Sequence, residues 1–285
     1  MSMLDNGLMI EDANEIDKLN TCYGELLDES MVKADRTVGA VSIYLSEDRD
    51  IPAAIAFLKA QLEKEGIRYD LTLSGMKEED WADSWKQYYK PVRIGRRLIV
   101  VPTWEEYTPD PEDIVLKMDP GMAFGTGTHE TTRLCSTLME DHLPLGARVL
   151  DVGTGSGILA IAASKLGASS VMAYDIDPVA VKVAEENCRV NSCTNISCGI
   201  SDLLAQVDTS LGGYDFVCAN IVADILVRMS KSIARYMKRG AKLAVSGIID
   251  TQEERVKTAL EEGGLRHLLT VEENDWNAML FELPF

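Results

Sequence analysis

Nowhere in its 285 residues does the sequence hold an apolar run approaching the ~18–20 residues that a membrane-spanning helix needs. Its opening residues, MSMLDNGLMIEDANEIDK, lack the basic start and apolar stretch of a secretory signal, so a cytoplasmic protein without membrane contact is expected. There is no CxxC pair, and none of the three histidines neighbours the evenly spaced Cys188, Cys193 and Cys198. Structural zinc sites use tighter cysteine spacing or histidine partners, so no metal is expected and the six cysteines read as reduced thiols. Bases are also short, 28 against 46 acids, for a formal net charge of -18. A face that grips phosphates needs a surplus of Lys and Arg, so direct nucleic-acid binding is not expected and a basic partner suits better. Acidity that serves only solubility is an equal reading.

What the chain does have is an ordinary apolar fraction of 46% and enough length for two domains. Residues 7–100 read as mixed α and β. Val38–Tyr44 is β-rich, Pro52–Glu65 has helical spacing, and Tyr69–Leu73 alternates like a strand. In EEDWADSWKQYYKPVRIG, Trp81, Trp85 and Tyr88 or Tyr89 share one helical face, a stripe better suited to docking one domain on the other than to holding a ligand. Leu98–Val101 is a short apolar strand, and TPDPED is a connector. From Arg148 the pattern becomes regular strand–helix alternation. RVLDVG, SSVMAYD, NISCG, YDFVCAN and AKLAVSGI are strands, with helices between and after them that include DILVRMSKSIARYMKRG and TQEERVKTALEEGG. HLLTVEENDWNAMLFEL reads as two strands joined by the turn ENDWN. The expected fold is α/β, a parallel sheet covered by helices on both faces with an antiparallel edge hairpin. The boundaries expected are a first domain at 1–75, a linker helix and strand at 76–108, and the second domain at 109–285.

DVGTGSG, Asp151 to Gly157, stands at a strand-to-helix turn, where open α/β sheets bind ligands. Gly153, Gly155 and Gly157 let the backbone approach a ligand at a helix N-terminus. A nicotinamide fingerprint would put its third glycine at position 158, which is Ile158. Asp151, two residues before the first glycine, suits a cationic ligand group such as the methionine ammonium of S-adenosylmethionine. Asp175 ends the next strand, 22 residues after Gly153, where an acid grips a ribose diol. Asp202, after the third strand, reads as a cap on the adenine edge or equally as a helix N-cap. Acids at successive strand ends beside a glycine loop make a nucleoside site.

The stretches DPGMAFGTGTHETT, DVGTGSGILAIAASKLGA, DIDPVAV, ANIVADIL and VSGIIDTQ closely resemble the methyltransferases that modify large-subunit ribosomal protein eleven in bacteria. WADSWKQYYKPVRIG and VPTWEEY resemble the same family, so the likeness covers nearly the whole chain. It implies an S-adenosylmethionine-dependent enzyme of Rossmann-like class I fold, preceded by a ferredoxin-like α+β substrate-recognition domain. The substrate it implies is the ribosomal protein, free or assembled in the ribosome, methylated on lysine or N-terminal α-amino groups. The family's cofactor site maps onto Thr132, Gly153, Asp175 and Asn220. Two departures stand out. Glu130 occupies a position where the family usually has proline, in an expected surface turn, with little effect. GLMIEDANEI resembles the family's second strand, so the opening strand and helix are expected to be either absent, leaving the recognition domain incomplete, or lost to a misassigned start codon.

Methyl transfer from a sulfonium to an amine needs an aligned, desolvated, neutral amine. Asn220, closing the strand YDFVCAN, is the expected catalytic residue, accepting an amine hydrogen and aiming its lone pair. The loop Phe124–His129, with Thr126, is expected to cover the cofactor, Gly125 and Gly127 as hinges, and Phe124 either walls off the methyl group or simply packs. His129 is expected to hydrogen-bond structurally, because attack by a neutral amine needs no base. The alternatives are a methyltransferase of the same fold acting on another protein, a nucleic acid or a small molecule, and an idle interaction protein that has kept the fold.

Overall fold

Apolar strand sequences that alternate with amphipathic helices fold here into a sheet buried on both faces. The computed structural model describes residues 8–12, 39–43, 51–72, 89–119, 127, 129–207 and 212–285. The chain divides into two compact units, Met1–Trp81 and Ala82–Phe285. In the first, β1 (Leu8–Asp12) pairs antiparallel with β2 (Gly39–Ile43), and α1 (Ile51–Lys64) follows. Gly66 takes φ +68° to end α1, and Ile67 N donates to Leu62 O at 3.0 Å, closing the last turn. Residues 69–72 form no strand despite their alternation, and position 73 lies outside the described residues. Alternation makes a strand only where a neighbouring strand takes its hydrogen bonds. Trp81, Trp85 and Tyr88 lie outside the described residues too. Tyr89 is buried, its ring centroid 5.9 Å from that of Trp104.

The second unit opens with a three-stranded sheet, β3 (Val92–Arg93), β4 (Leu98–Pro102) and β5 (Ile114–Met118). β5 was hidden in the sequence behind the proline-rich connector. There follow α2 (Glu130–His142), β6 (Arg148–Val152), α3 (Ile158–Lys165), β7 (Ser170–Asp175), α4 (Pro178–Val190) and β8 (Ile196–Ile200). The chain ends with β9 (Tyr214–Asn220), α5 (Ala223–Ser230), β10 (Met237–Ile249), α6 (Glu253–Glu262), β11 (Arg266–Glu273) and β12 (Trp276–Glu282). The seven-stranded sheet has the order β11-β12-β10-β9-β6-β7-β8. It is parallel from β10 to β8, and β12 runs antiparallel to both its neighbours.

Period-two alternation sends each strand into two cores. Val149, Phe216, Cys218, Ala278 and Leu280 face one side, with α2 and α3 residues such as Leu138 and Ile161. Leu150, Val217, Ala219, Met279 and Phe281 face the other, against Leu226, Val256 and Leu260. One long helix expected through Gly240 is cut short. α5 stops at Ser230, a single 3-10 turn covers 233–236, and β10 has begun by Met237, which pairs with Tyr214. Gly240 at φ +75° lies in a register shift between Met237 and Lys242 that no helix accommodates.

Candidate active site

The strands reverse their order of addition between β6 and β9, and the crevice at the carboxyl ends of these strands is where open α/β sheets take ligands. A cavity of about 580 Å³ opens there. Its lining includes Gly153, Gly155, Asp175, Ser201 and Asp202 together with His129, Thr131, Asn220, Ile221 and Trp276. Thus five residues expected to meet a cofactor, together with Asn220, share one cavity. Phe124, Gly125 and Thr126 lie outside the described residues.

The glycine loop is built for close backbone approach. Gly153 at φ +74° leaves no room for a side chain, since a Cβ would collide with Ile221 Cγ2. Tyr174 O accepts from the amides of both Gly153 (2.8 Å) and Thr154 (2.9 Å), so the loop is stitched to the end of β7. The Asp175 carboxylate accepts from Gly155 N (2.9 Å) and Asp177 N (3.0 Å), and these amides aim it into the cavity. Asp177 in turn caps α4. Asp202 is exposed at the cavity edge, its own amide held by Gln206 Oε1 at 3.1 Å.

Asp151 does not line the cavity. Its carboxyl is buried under the loop, accepting from the Thr154 hydroxyl at 2.7 Å and the Cys218 thiol at 3.4 Å. Burial pushes its pKa up to about 6, and the charge of Asp175 adds to the rise, against those hydrogen bonds. The carboxyl thus supports the loop from beneath.

Beside the loop, at the end of the neighbouring strand β9, Asn220 has its Nδ2 3.5 Å from Thr132 Oγ1, and its Oδ1 is without a partner among the described residues. Thr132 is buried behind the cavity wall. His129 caps the N-terminus of α2, with Nδ1 3.3 Å from Thr131 N and 3.0 Å from Thr131 Oγ1. The ring meets Trp276 edge-on at 4.8 Å. Glu130 is not a surface-turn residue. It is 6% exposed, accepts from Asn274 Nδ2 at 3.1 Å, and lies 3.7 Å from Arg133.

Sequence reasoning missed Trp276, Ile176, Arg228 and Gly247 in the lining. Trp276 was read as part of a turn, although it opens β12. Ile176, 66% exposed directly after Asp175, carried a signal in its position, an exposed apolar side chain at a strand end in the crevice. Among the described residues no group of three or more His, Cys, Asp or Glu side chains is placed to hold a metal.

The model of the ribosomal protein L11 methyltransferase family (PrmA) matches residues 2–283. A relative named ribosomal protein L11 methyltransferase from Caldanaerobacter subterraneus subsp. tengcongensis is 41% identical over 283 residues, covering 97% of this chain and 90% of that protein. One of the same name from Bacillus cytotoxicus is 40% identical over 286 residues, covering 96% of this chain and 90% of its own. The crystal structure of a ribosomal protein L11 methylase from Lactobacillus delbrueckii subsp. bulgaricus aligns with TM-score 0.65 and 36% identity, over 69% of this chain and all of that one.

Proposed function

The chain belongs to the ribosomal protein L11 methyltransferase family, and from that premise we propose how its residues divide the work of methylating L11. It is an S-adenosylmethionine-dependent protein methyltransferase with ribosomal protein L11 as its substrate. The observation that carries the assignment of roles is the single cavity joining the glycine loop and Asp175 to Asn220.

In this reading Gly153 and Gly155 admit the cofactor to the backbone, and Asp175 takes the ribose diol with the carboxylate lone pairs left after its two amide bonds. Asp202 borders the base. S-adenosylmethionine supplies an electrophilic methyl group on a sulfonium. The incoming amine must be neutral, and a lysine with a free pKa near ~10.4 is driven that way by desolvation and by nearby positive charge. Asn220 is the catalytic residue. Its Oδ1 accepts an amine hydrogen and turns the lone pair toward the methyl, while Thr132 holds its Nδ2. His129 and Trp276 wall the amine's approach. Residues 1–75 recognise the substrate, 76–108 link, and 109–285 carry the chemistry. The net charge of -18 favours a basic segment of L11 and disfavours a direct grip on nucleic acid.

The test incubates L11 with labelled S-adenosylmethionine and either wild type or Asn220→Ala, followed by mass spectrometry and single-turnover rates. Wild type should add methyl groups to L11 amines. The variant should lose on the order of 10²–10³ in rate, the usual cost of one oriented contact in a transition state, with a smaller loss of cofactor affinity. A folded Asn220→Ala enzyme with the wild-type rate rejects the catalytic assignment.

A further inference from the structure

Two asparagines, Asn187 on α4 and Asn191 at its C-cap, treat the chain around β5 as a neighbouring strand would. Asn187 Oδ1 accepts from Asp119 N at 2.9 Å while its Nδ2 donates to Asp119 O at 3.1 Å. One helical turn later, Asn191 Oδ1 accepts from Lys117 N at 3.0 Å and its Nδ2 donates to Lys117 O at 2.6 Å. The spacing fits, because residues four apart on a helix and two apart on a strand both repeat at roughly 6–7 Å. The two amides are therefore equivalent toward the strand. They differ at the second amide hydrogen. Asn191 spends it on its own helix, at Asn187 O, 2.9 Å away. Asn187 sends it to Ser156 O, 2.9 Å away, inside the glycine loop.

We propose that Asn187 is a positioning residue for the cofactor: it fixes the Ser156–Gly157 peptide of the glycine loop and registers that loop against the chain leaving β5. The inference rests on reading the Gly153–Gly157 loop as the S-adenosylmethionine site. Asn187 is 1% exposed and both its amide hydrogens are used, so the side chain has no rotamer that keeps one contact and drops another without an unmet buried donor. The same helix brings Ala184 against the loop, where a Cβ on Gly157 would lie 3.1 Å from the Ala184 Cα. With Ser156 O held, the plane of the following peptide is set, and Gly157 N points to Thr154 O at 2.9 Å. Gly157 itself is the N-cap of α3, at φ +85°. Without Asn187 the Ser156 carbonyl loses this anchor, and the amides of the loop keep their orientation less strictly before the ligand arrives.

The test uses the full chain with Asn187→Ala, Asn187→Asp and Asn191→Ala, measuring S-adenosylmethionine Kd by calorimetry together with Tm. Asn191→Ala removes a brace on β5 but none on the loop, so it should lower Tm and leave Kd within about twofold of wild type. Asn187→Ala should raise Kd by about tenfold to a hundredfold. Asn187→Asp keeps the shape but turns a carboxylate toward two carbonyls. Its Kd, taken relative to wild type, should recover as pH is lowered and the acid regains a hydrogen to donate. Where the alanine variant does not fold, the aspartate variant and its pH profile carry the decision. Folded Asn187 variants with wild-type Kd, a loss equal to that of Asn191→Ala, or a pH-independent aspartate variant each overturn the proposal. Wild type that fails to bind S-adenosylmethionine sinks the cofactor-site reading instead.

Discussion

Asp151 is sealed under the glycine loop, 1% exposed, with a pKa raised from 3.8 to about 6, first by burial. Between those two values the folded protein keeps a proton that the unfolded chain has released. Stability therefore falls as pH rises through that window and is level above it. Two pKa units correspond to at most about 3 kcal/mol. Asp151→Asn keeps the shape and cannot ionise, so its unfolding free energy should lack the decline that wild type shows between pH about 4 and about 6. Urea unfolding at several pH values measures both curves, and parallel curves would mean that the Asp151 proton does not contribute. The identity of this acid was plain in the sequence, but its direction was not. Whether a carboxylate at a strand end faces a ligand or the core depends on what stands behind it, here Cys218 on β9, 67 residues away.

At the scale of elements, the β11–β12 hairpin is pinned to the start of α2. Arg133 holds Glu273 through Nε at 3.0 Å and Nη2 at 2.5 Å, while Glu130 accepts from Asn274 at the hairpin tip. This brings Trp276 to His129 and so shapes one wall of the cavity. Glu130→Ala leaves the Asn274 amide without that acceptor and should cost about 1–2 kcal/mol in urea unfolding. An unchanged midpoint would return Glu130 to the status of a solvated surface residue. Nothing near position 130 announces a partner 144 positions away, which is why its burial was illegible. The parallel strands were legible for the opposite reason. Each is a local apolar run such as RVLDV or YDFVCAN, ended by the acid, asparagine or glycine that the ligand crevice uses. The end of α5 was not, since the residues after Ser230 keep helical composition and only the pairing of Met237 with Tyr214 pulls them into the sheet.

On the scale of the molecule, the cavity lining runs from His129 to Trp276, all of it within the unit Ala82–Phe285. That unit owns both apolar clusters, and its size is ample for a self-sufficient core. A protein of residues 82–285 is therefore expected to fold and to bind S-adenosylmethionine within a few-fold of the full chain. Removing residues 1–81 takes away the segment assigned to substrate recognition, and binding energy drawn from parts of a substrate remote from the reacting atom is what holds an amine in line for attack. The truncated protein should consequently show a steep loss of kcat/KM for L11 with its cofactor Kd nearly intact. Adding a short amine in place of L11 separates the two functions, because a small acceptor that never touches the first unit should react equally slowly with both forms. Full-efficiency methylation of L11 by the truncated protein would show that recognition resides beside the cavity itself. Loss of cofactor binding would show instead that the second unit depends on the first for its fold.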